Sequence, residues 1–110
     1  MGKSKNESFS DTQNTIAKIA KGLSHPARIA ILEYLLTKDS CVCGDIVDEL
    51  PLAQATVSQH LKELKELGLI KGEISGTKVC YCINQSNWTA YKTILANFFE
   101  YNSNVTNVCC

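Results

Sequence analysis

The segment from Asp45 to Ile70, DIVDELPLAQATVSQHLKELKELGLI, constrains the fold of this chain more than any other part of it. Its first part predicts a short helix that ends before Pro51, because proline lacks the N–H group that would continue a helix. A longer helix is predicted from Ala53 to Leu67, and Gly68 is a typical residue directly after a helix C terminus. Two short helices joined by a tight turn indicate a helix-turn-helix.

A β-hairpin is predicted directly after these two helices. Residues 70–74 and 78–83 alternate in the manner of β-strands, and the predicted turn between them is Ser75-Gly76-Thr77. A helix-turn-helix followed by a two-stranded hairpin forms a winged helix. We therefore expect a mainly α fold with a small β-hairpin, in the α+β class.

Three further helices complete the predicted domain. Ser10 and Gln13 form a capping-box pattern at the start of the first helix, and Pro26 occupies the first position of the second, where proline is tolerated. The second helix is expected to be mostly buried through Ile29, Ile31, Leu32, Leu35 and Leu36. The last helix, capped by Ser86 or Asn87, carries an apolar stripe that consists of Trp88, Tyr91, Ile94, Leu95, Phe98 and Phe99.

The length of 110 residues corresponds to one domain. Residues 1–10 are polar and lack periodicity, so we expect a disordered arm there. Residues 11–101 are expected to form the winged helix-turn-helix domain, and residues 102–110 a flexible tail that ends in two cysteines. The start of the chain has no apolar signal region, and no apolar run approaches the ~18 residues needed to cross a bilayer. We therefore expect a cytoplasmic protein that does not enter a membrane.

The helix predicted from Ala53 to Leu67, here called the reading helix, has one apolar face and one polar face. At about 100° per residue, the buried face is shared by Val57, Leu61, Leu64 and Leu67. Polar side chains on the rest of its N-terminal half can hydrogen-bond to base edges or to phosphates of DNA. Together with two lysines of the hairpin, the candidate DNA contacts are Gln54, Thr56, Ser58, Gln59, His60, Lys62, Lys71 and Lys78.

A simpler interpretation of this surface also has support. The formal net charge is zero, whereas DNA-binding domains are usually basic, and an amphipathic helix can carry a solvated polar face without any ligand. Glu63 and Glu66 would repel phosphates, so the reading helix is expected to dock through its N-terminal half. His60 lies near the apolar face, where a packed, hydrogen-bonded histidine is as consistent as a DNA contact.

Several stretches of the chain resemble the ArsR/SmtB-type winged helix-turn-helix regulators, the arsenical-resistance repressor family. The matching stretches are LSHPARIAIL at 23–32, TVSQHLKEL at 56–64, GLI at 68–70 and YCI at 81–83, and the resemblance extends over residues 16–99. It implies a homodimer that represses transcription, binds double-stranded operator DNA and leaves it when an effector binds. It also implies that the first and last helices form the dimer interface, so that residues 11–101 serve both DNA binding and dimerisation.

Six cysteines are many for a chain of this length. Thiols stay reduced in the cytosol, so clustered cysteines there indicate metal binding or redox chemistry. The family resemblance implies that Cys41 and Cys43, in a Cys-Val-Cys motif, are effector ligands, and thiolates select soft ions. The expected effector is As(III) or another soft thiophilic ion, with no permanent cofactor. Because pyramidal As(III) takes three thiolates, or two thiolates and a small ligand, Cys109 and Cys110 could complete the site from the same or the partner subunit.

Cys80 and Cys82 alternate along the second predicted strand. We expect Val79, Tyr81 and Ile83 on its core face, so the two thiols share the opposite face. Residues two apart on a strand are about 7 Å apart, which one bridging soft ion can span but which is long for a disulfide between them. The pair therefore has either a sensing role or none beyond being small residues that fit a strand.

Three other functions compete with an effector-released repressor. The same repressor could respond to thiol oxidation, or to persulfide or polysulfide formation, through pairs of cysteines. A thiol oxidoreductase is disfavoured because the chain has neither a Cys-x-x-Cys motif nor a βαβ pattern, so we do not expect an enzyme. A winged helix that binds proteins and never contacts DNA is consistent with the zero net charge.

Overall fold

The structure, a computed structural model, describes residues 8–44 and 46–101 and has the predicted winged helix-turn-helix architecture. Its elements in chain order are α1 (Asp11–Gly22), α2 (Pro26–Leu36), α3 (Ile46–Glu49), α4 (Gln54–Glu66), β1 (Ile70–Ser75), β2 (Lys78–Ile83) and α5 (Gln85–Phe99). The mainly α fold with one small hairpin is thus confirmed, and α4 is the reading helix. Asp45, most of the predicted arm and all of the predicted tail at 102–110 lie outside the described residues. Within the described ranges, no helix has the length and apolar character that crossing a membrane requires.

Side chains at the N termini of α1, α2 and α5 set where these three helices begin. Ser10 and Gln13 form the predicted capping box on α1, and Pro26 is the first residue of α2, after His25 as its N-cap. The prediction that Ser86 or Asn87 caps the last helix is wrong. Asn84 is the N-cap, because its side-chain oxygen accepts a hydrogen bond from the Asn87 backbone N–H at 3.2 Å. The helix therefore follows β2 almost without a linker.

One hydrophobic core joins α2, the helix-turn-helix and the base of the hairpin. Its buried members are Ile31, Leu32, Leu35, Val42, Ile46, Val57, Leu61, Leu64, Leu69, Ile70 and Ile83. The expected burial of Ile29 and Leu36 is wrong, since these side chains are 41% and 46% exposed. Both lie away from the face of α2 that contacts the core. Burial of this size supplies most of the favourable free energy of folding in a small domain.

The hairpin is longer than predicted by one residue. Ser75 pairs with Lys78 in the antiparallel register, so Ser75 ends β1 and does not belong to the turn. The two-residue turn that remains contains Gly76 at a φ of +65°, a backbone conformation that glycine adopts without steric cost. On its other side, β2 forms a single bridge to Val42: the Val42 N–H donates to the Tyr81 carbonyl at 2.7 Å, and the Tyr81 N–H donates back at 2.9 Å.

The last helix closes the domain and fixes the C-terminal end of α4. The Asn87 side-chain amide donates to the Gly68 carbonyl at 2.9 Å, and the Tyr91 hydroxyl donates to the Leu67 carbonyl at 3.3 Å. α5 also packs against α1. Its outer face is apolar and uncovered in the single chain, with Phe98 51% and Phe99 76% exposed.

Candidate functional site

α4 presents a polar face to solvent along its N-terminal half. The side chains of Gln54, Thr56, Ser58 and Gln59 are exposed there, as the sequence predicted. Lys62, in the C-terminal half, is also exposed. On the opposite side Val57, Leu61 and Leu64 are buried in the core. No side chain caps the N terminus of α4, where Ala53 is the N-cap. Backbone N–H groups of its first turn can therefore bind an anion such as a phosphate.

His60 turns away from this polar face and is half-buried. Its Nδ1 accepts a hydrogen bond from Nε of Arg28 at 3.1 Å, and its ring lies 4.9 Å from that of His25. Burial, followed by the positive charges of Arg28 and His25, lowers the pKa of His60. The neutral imidazole is thereby favoured, which suits its role as a hydrogen-bond acceptor. The sequence allowed either a packed, hydrogen-bonded histidine or a DNA contact at this position. The contacts with Arg28 and His25 are those of a packed histidine.

Arg28 is a buried cation that the sequence reasoning missed. Only 8% of the residue is exposed, and besides His60 its guanidinium contacts the Lys21 carbonyl at 2.9 Å and pairs with the Glu63 carboxylate. Glu63, which was expected to face and repel phosphates, is therefore neutralised against α2. The signal was available, because Arg28 is the one basic residue in the otherwise mostly apolar run PARIAILEYLL.

The hairpin carries the two remaining basic candidates. Lys71 and Lys78 are both exposed, and Lys78 directly follows the turn. Glu73 is also exposed, so the wing presents a negative charge beside its two positive charges. Long basic side chains at a hairpin are suited to contact with a phosphate backbone, where they give affinity without sequence preference.

Four cysteines meet where the segment before α3 runs beside the wing. Cys41 is disulfide-bonded to Cys82, and Cys43 to Cys80, with Cα–Cα distances of 4.4 and 4.1 Å. The Val42–Tyr81 bridge explains the pairing. In an antiparallel pair the residues on either side of a hydrogen-bonded pair face each other at close Cα distance. The sequence reasoning expected reduced thiols and did not bring these two segments together.

The strand faces are partly as predicted. Ile83 is buried in the core and Tyr81 packs against it, but Val79 is 45% exposed because it lies towards the hairpin tip, beyond the core. Cys80 is 2% exposed although it lies on the opposite face of β2, where Cys43 bonds to it. The sulfur atoms of Cys41 and Cys82 and a carboxylate oxygen of Glu73 all lie within 4.8 Å of one another. These are donor atoms that can hold a metal ion once the thiols are reduced. Cys109 and Cys110 lie outside the described residues.

Comparisons with known proteins agree with this architecture. A sequence profile for a helix-turn-helix domain matches residues 23–73. The HTH-type transcriptional repressor SmtB of Mycobacterium tuberculosis is 44% identical over 64 residues, which cover 58% of this chain and 47% of that protein. The chain thus matches about half the length of this relative. An uncharacterized HTH-type regulator of Methanocaldococcus jannaschii, MJ1325, is 43% identical over 61% of this chain and 75% of its own. The arsenical resistance operon repressor of Staphylococcus xylosus is 33% identical over 63% of this chain and 65% of its own.

Solved structures agree with this fold. An ArsR-like transcriptional regulator from Rhodococcus superposes with a TM-score of 0.69 at 20% identity, over 86% of this chain and 90% of that one, which is a likeness of fold. The cadmium sensor CmtR of Mycobacterium tuberculosis has a TM-score of 0.55 at 31% identity, over 68% of this chain and 76% of its own. This chain therefore belongs to the ArsR/SmtB family of winged helix-turn-helix transcriptional regulators.

Proposed function

We propose that this chain is a transcriptional repressor that binds double-stranded operator DNA as a homodimer. In this proposal it leaves the operator when cysteine thiolates bind a thiophilic effector, with As(III) as the first candidate. The observation that supports it most is the exposed polar N-terminal half of α4, held over a continuous core. Relatives named for arsenical resistance and for cadmium sensing support a soft, thiophilic effector.

In this proposal the N-terminal half of α4 enters the major groove. The polar side chains of Gln54, Thr56, Ser58 and Gln59 hydrogen-bond to base edges or nearby phosphates. The cationic side chains of Lys62, Lys71 and Lys78 contact phosphates. His60 contributes by holding α4 against α2, since Arg28 occupies its Nδ1.

Dimerisation uses the outer faces of α1 and α5. Ile16 and Ile94 line the same surface depression as Phe98, between these two helices. Exposed apolar side chains of this size favour a second copy of the chain as their cover. A symmetric dimer presents two copies of α4, which read the two halves of a palindromic operator.

Effector binding is coupled to α4 through the core. Val42, the residue between Cys41 and Cys43, packs in the same buried cluster as Val57 and Leu61 of α4. An ion held by the two thiolates therefore acts on the residue that supports the reading helix. In this proposal Cys109 and Cys110 are the candidates for the remaining ligands, from either subunit.

A gel shift tests DNA binding directly. The reduced protein selects a palindromic duplex from a random library, and the selected duplex is titrated at several salt concentrations. Lys62→Ala should weaken binding and reduce the salt slope by about 2 per dimer, because each lysine–phosphate contact contributes about 0.9. Lys18→Ala, which removes the same charge from an exposed position on α1, is the matched control. Equal loss in both variants would argue that α4 is not the DNA-contacting helix.

Arsenite added to the same complex tests the effector. We expect release of the duplex, and loss of that response when Cys41, Cys43, Cys109 and Cys110 are replaced by serine. Release that persists in this variant would refute the ligand assignment. A wild-type complex that ignores arsenite would refute As(III) as effector while leaving DNA binding intact.

A second candidate keeps the repressor and makes the switch oxidative, and the two cross-strand disulfides favour it. With hydrogen peroxide as oxidant, one thiol of a pair becomes a sulfenic acid and one water is released. The second thiol attacks that sulfur, forms the S–S bond and releases another water. Each pair thus gives up two electrons to one peroxide. Persulfide or polysulfide bridges would use the same pairs.

Mass spectrometry separates the two switches. Oxidation removes two hydrogen atoms for each disulfide. Arsenite that binds three thiols of the reduced protein releases three waters, so the protein gains one arsenic atom and loses three hydrogen atoms. DNA release by peroxide, accompanied by the loss of four hydrogens and reversed by a dithiol, would support the oxidative switch. A full arsenite response together with DNA binding that is indifferent to peroxide would discard it.

A further inference from the structure

We propose that, when reduced, Cys41, Cys43, Cys80 and Cys82 form a single four-thiolate site within one subunit for a soft, tetrahedral divalent cation, with Cd²⁺ as the probe. The inference rests on the proposed thiolate sensing and names its remaining ligands. These are the wing cysteines of the same subunit. For a tetrahedral cation they take the place of Cys109 and Cys110, which stay the candidates for As(III).

The backbone brings the four thiols together. Val42 and Tyr81 form a hydrogen-bonded bridge, so Cys41 faces Cys82 on one side of it and Cys43 faces Cys80 on the other. Alternate residues of a strand point to the same face, and directly opposed residues share a face. All four sulfurs therefore lie on one face. Backbone hydrogen bonds, and not the disulfides alone, support this arrangement.

Four thiolates match a particular class of ion. Soft d¹⁰ cations such as Zn²⁺ bind four thiolates tetrahedrally at about 2.3 Å, which separates neighbouring sulfurs by roughly 4 Å. Opposed pairs already meet, and pairs two residues apart along a strand need only side-chain rotation to converge from about 7 Å. Two cysteines alone would leave such an ion half-coordinated. As(III), which takes three thiolates, would leave one of the four unused.

The surroundings suggest how the ion enters. At one end of the cluster Cys80 is buried, with 2% of it exposed, and Cys43 is half-buried. The Cys41–Cys82 end opens on a surface cleft that is also lined by Asp39, Lys71 and Glu73. A carboxylate oxygen of Glu73 lies within 4.8 Å of both sulfurs at this end. Glu73 is thus placed to meet a hydrated cation before the thiolates replace its waters.

Such a site would couple the ion to the wing as well as to α4. Cys80 and Cys82 belong to β2, whereas Cys41 and Cys43 lie directly before α3. One ion bound by all four ties the wing strand to the start of the helix-turn-helix. The ligand set would thereby join the two parts of the domain on which DNA contact depends.

The test titrates the reduced full chain with Cd²⁺ under anaerobic conditions. Thiolate-to-cadmium charge-transfer absorption and a count of thiols protected from a thiol reagent are followed together. We expect one Cd²⁺ per subunit and protection of four of the six thiols. Cys80→Ser/Cys82→Ser should bind at least tenfold more weakly, with about half the absorption per ion. Cys109→Ser/Cys110→Ser, the matched double variant, should behave like the wild type.

The proposal would be overturned if Cys109→Ser/Cys110→Ser weakened Cd²⁺ binding and Cys80→Ser/Cys82→Ser left it unchanged. Protection of only two or three thiols in the wild type would also overturn it. Because serine in β2 could disturb the fold, far-UV circular dichroism checks each variant. Cadmium NMR of the wild type gives an independent measure, since its chemical shift reports the number of sulfur ligands. Failure of the proposed repressor function would give a different result from failure of the four-thiolate site. In that case Cd²⁺ would bind with four thiolates while the DNA complex stayed intact.

Discussion

Truncation of Arg28 should show how much of the stability depends on the polar contact between α2 and α4. In Arg28→Ala, the Lys21 carbonyl, the Nδ1 of His60 and the Glu63 carboxylate all lose their partner. Hydrogen bonds that involve a charged group contribute about 1.5–3 kcal/mol each. The pair with Glu63 contributes at the low end, about 1 kcal/mol, because that side chain is 32% exposed and partly screened by water.

Water can partly solvate the three groups that lose their partner, so we expect a loss of about 3 kcal/mol in the free energy of unfolding. That is a large share of the 5–15 kcal/mol of stability usual for a domain. Arg28→Lys keeps the charge but carries its three N–H donors on a single nitrogen, whereas Arg28 reaches its three partners through three separate nitrogens. This variant should therefore lose about half as much. Lys18→Ala, at an exposed position on α1, should change stability by less than about 0.5 kcal/mol.

The measurement is urea unfolding of the reduced protein, followed by circular dichroism and extrapolated linearly to water. Protomer concentration is held constant, because dimerisation would make the midpoint depend on it. A loss below about 1 kcal/mol in Arg28→Ala would refute the reasoning. It would mean that the guanidinium and its partners are as well solvated without the contact as with it.

Three further outcomes are expected. Because the pKa of His60 is lowered from its usual 6.5, the unfolded chain gains a proton at higher pH than the folded one. Stability should therefore fall as the pH drops through 6.5, and His60→Gln should flatten that slope in urea unfolding at several pH values. Gly68→Ala should lower the melting temperature more than Gly76→Ala. Both have positive φ, but only at Gly68 does an added Cβ meet other atoms, at 2.9 and 3.1 Å. Leu64→Ala should cost about 2–5 kcal/mol, and Glu66→Ala on the same helix almost nothing; equal costs would contradict the assigned core face.

Local rules predicted most of the fold. The Ser10 capping box, proline at the start of α2, the ends of α4 and the hairpin each depend on residues a few positions apart. The same rules placed the exposed polar half of α4 correctly, because helical periodicity fixes which side chains face the core. Where a local signal was ambiguous, as with the four consecutive polar residues after β2, the two candidates for the cap were both wrong.

The contacts that the sequence did not reveal join distant parts of the chain. Arg28 meets His60 across 32 positions, and the cysteines pair across 41 and 37 positions. No periodicity or spacing encodes such pairs. The Arg28–His60 contact arises only when α2 packs against α4, and the cysteine pairs arise only when the segment before α3 aligns with β2. The sequence indicated that the cysteines bind a metal ion or undergo redox chemistry. Which cysteines pair with one another could be predicted only from the register between the segment before α3 and β2.

The two cross-links enclose almost the same stretch of chain, one loop nested inside the other. Either bond alone restricts the unfolded chain by roughly 4 kcal/mol for a loop of this length. The second then closes only a ring of a few residues and adds little. Reduction of one disulfide should therefore hardly change the free energy of unfolding, and the domain should be destabilised only when both are reduced. As the surroundings become gradually more reducing, the stability of a domain with nested disulfides therefore stays nearly constant and then falls sharply, at the point where the second bond is reduced.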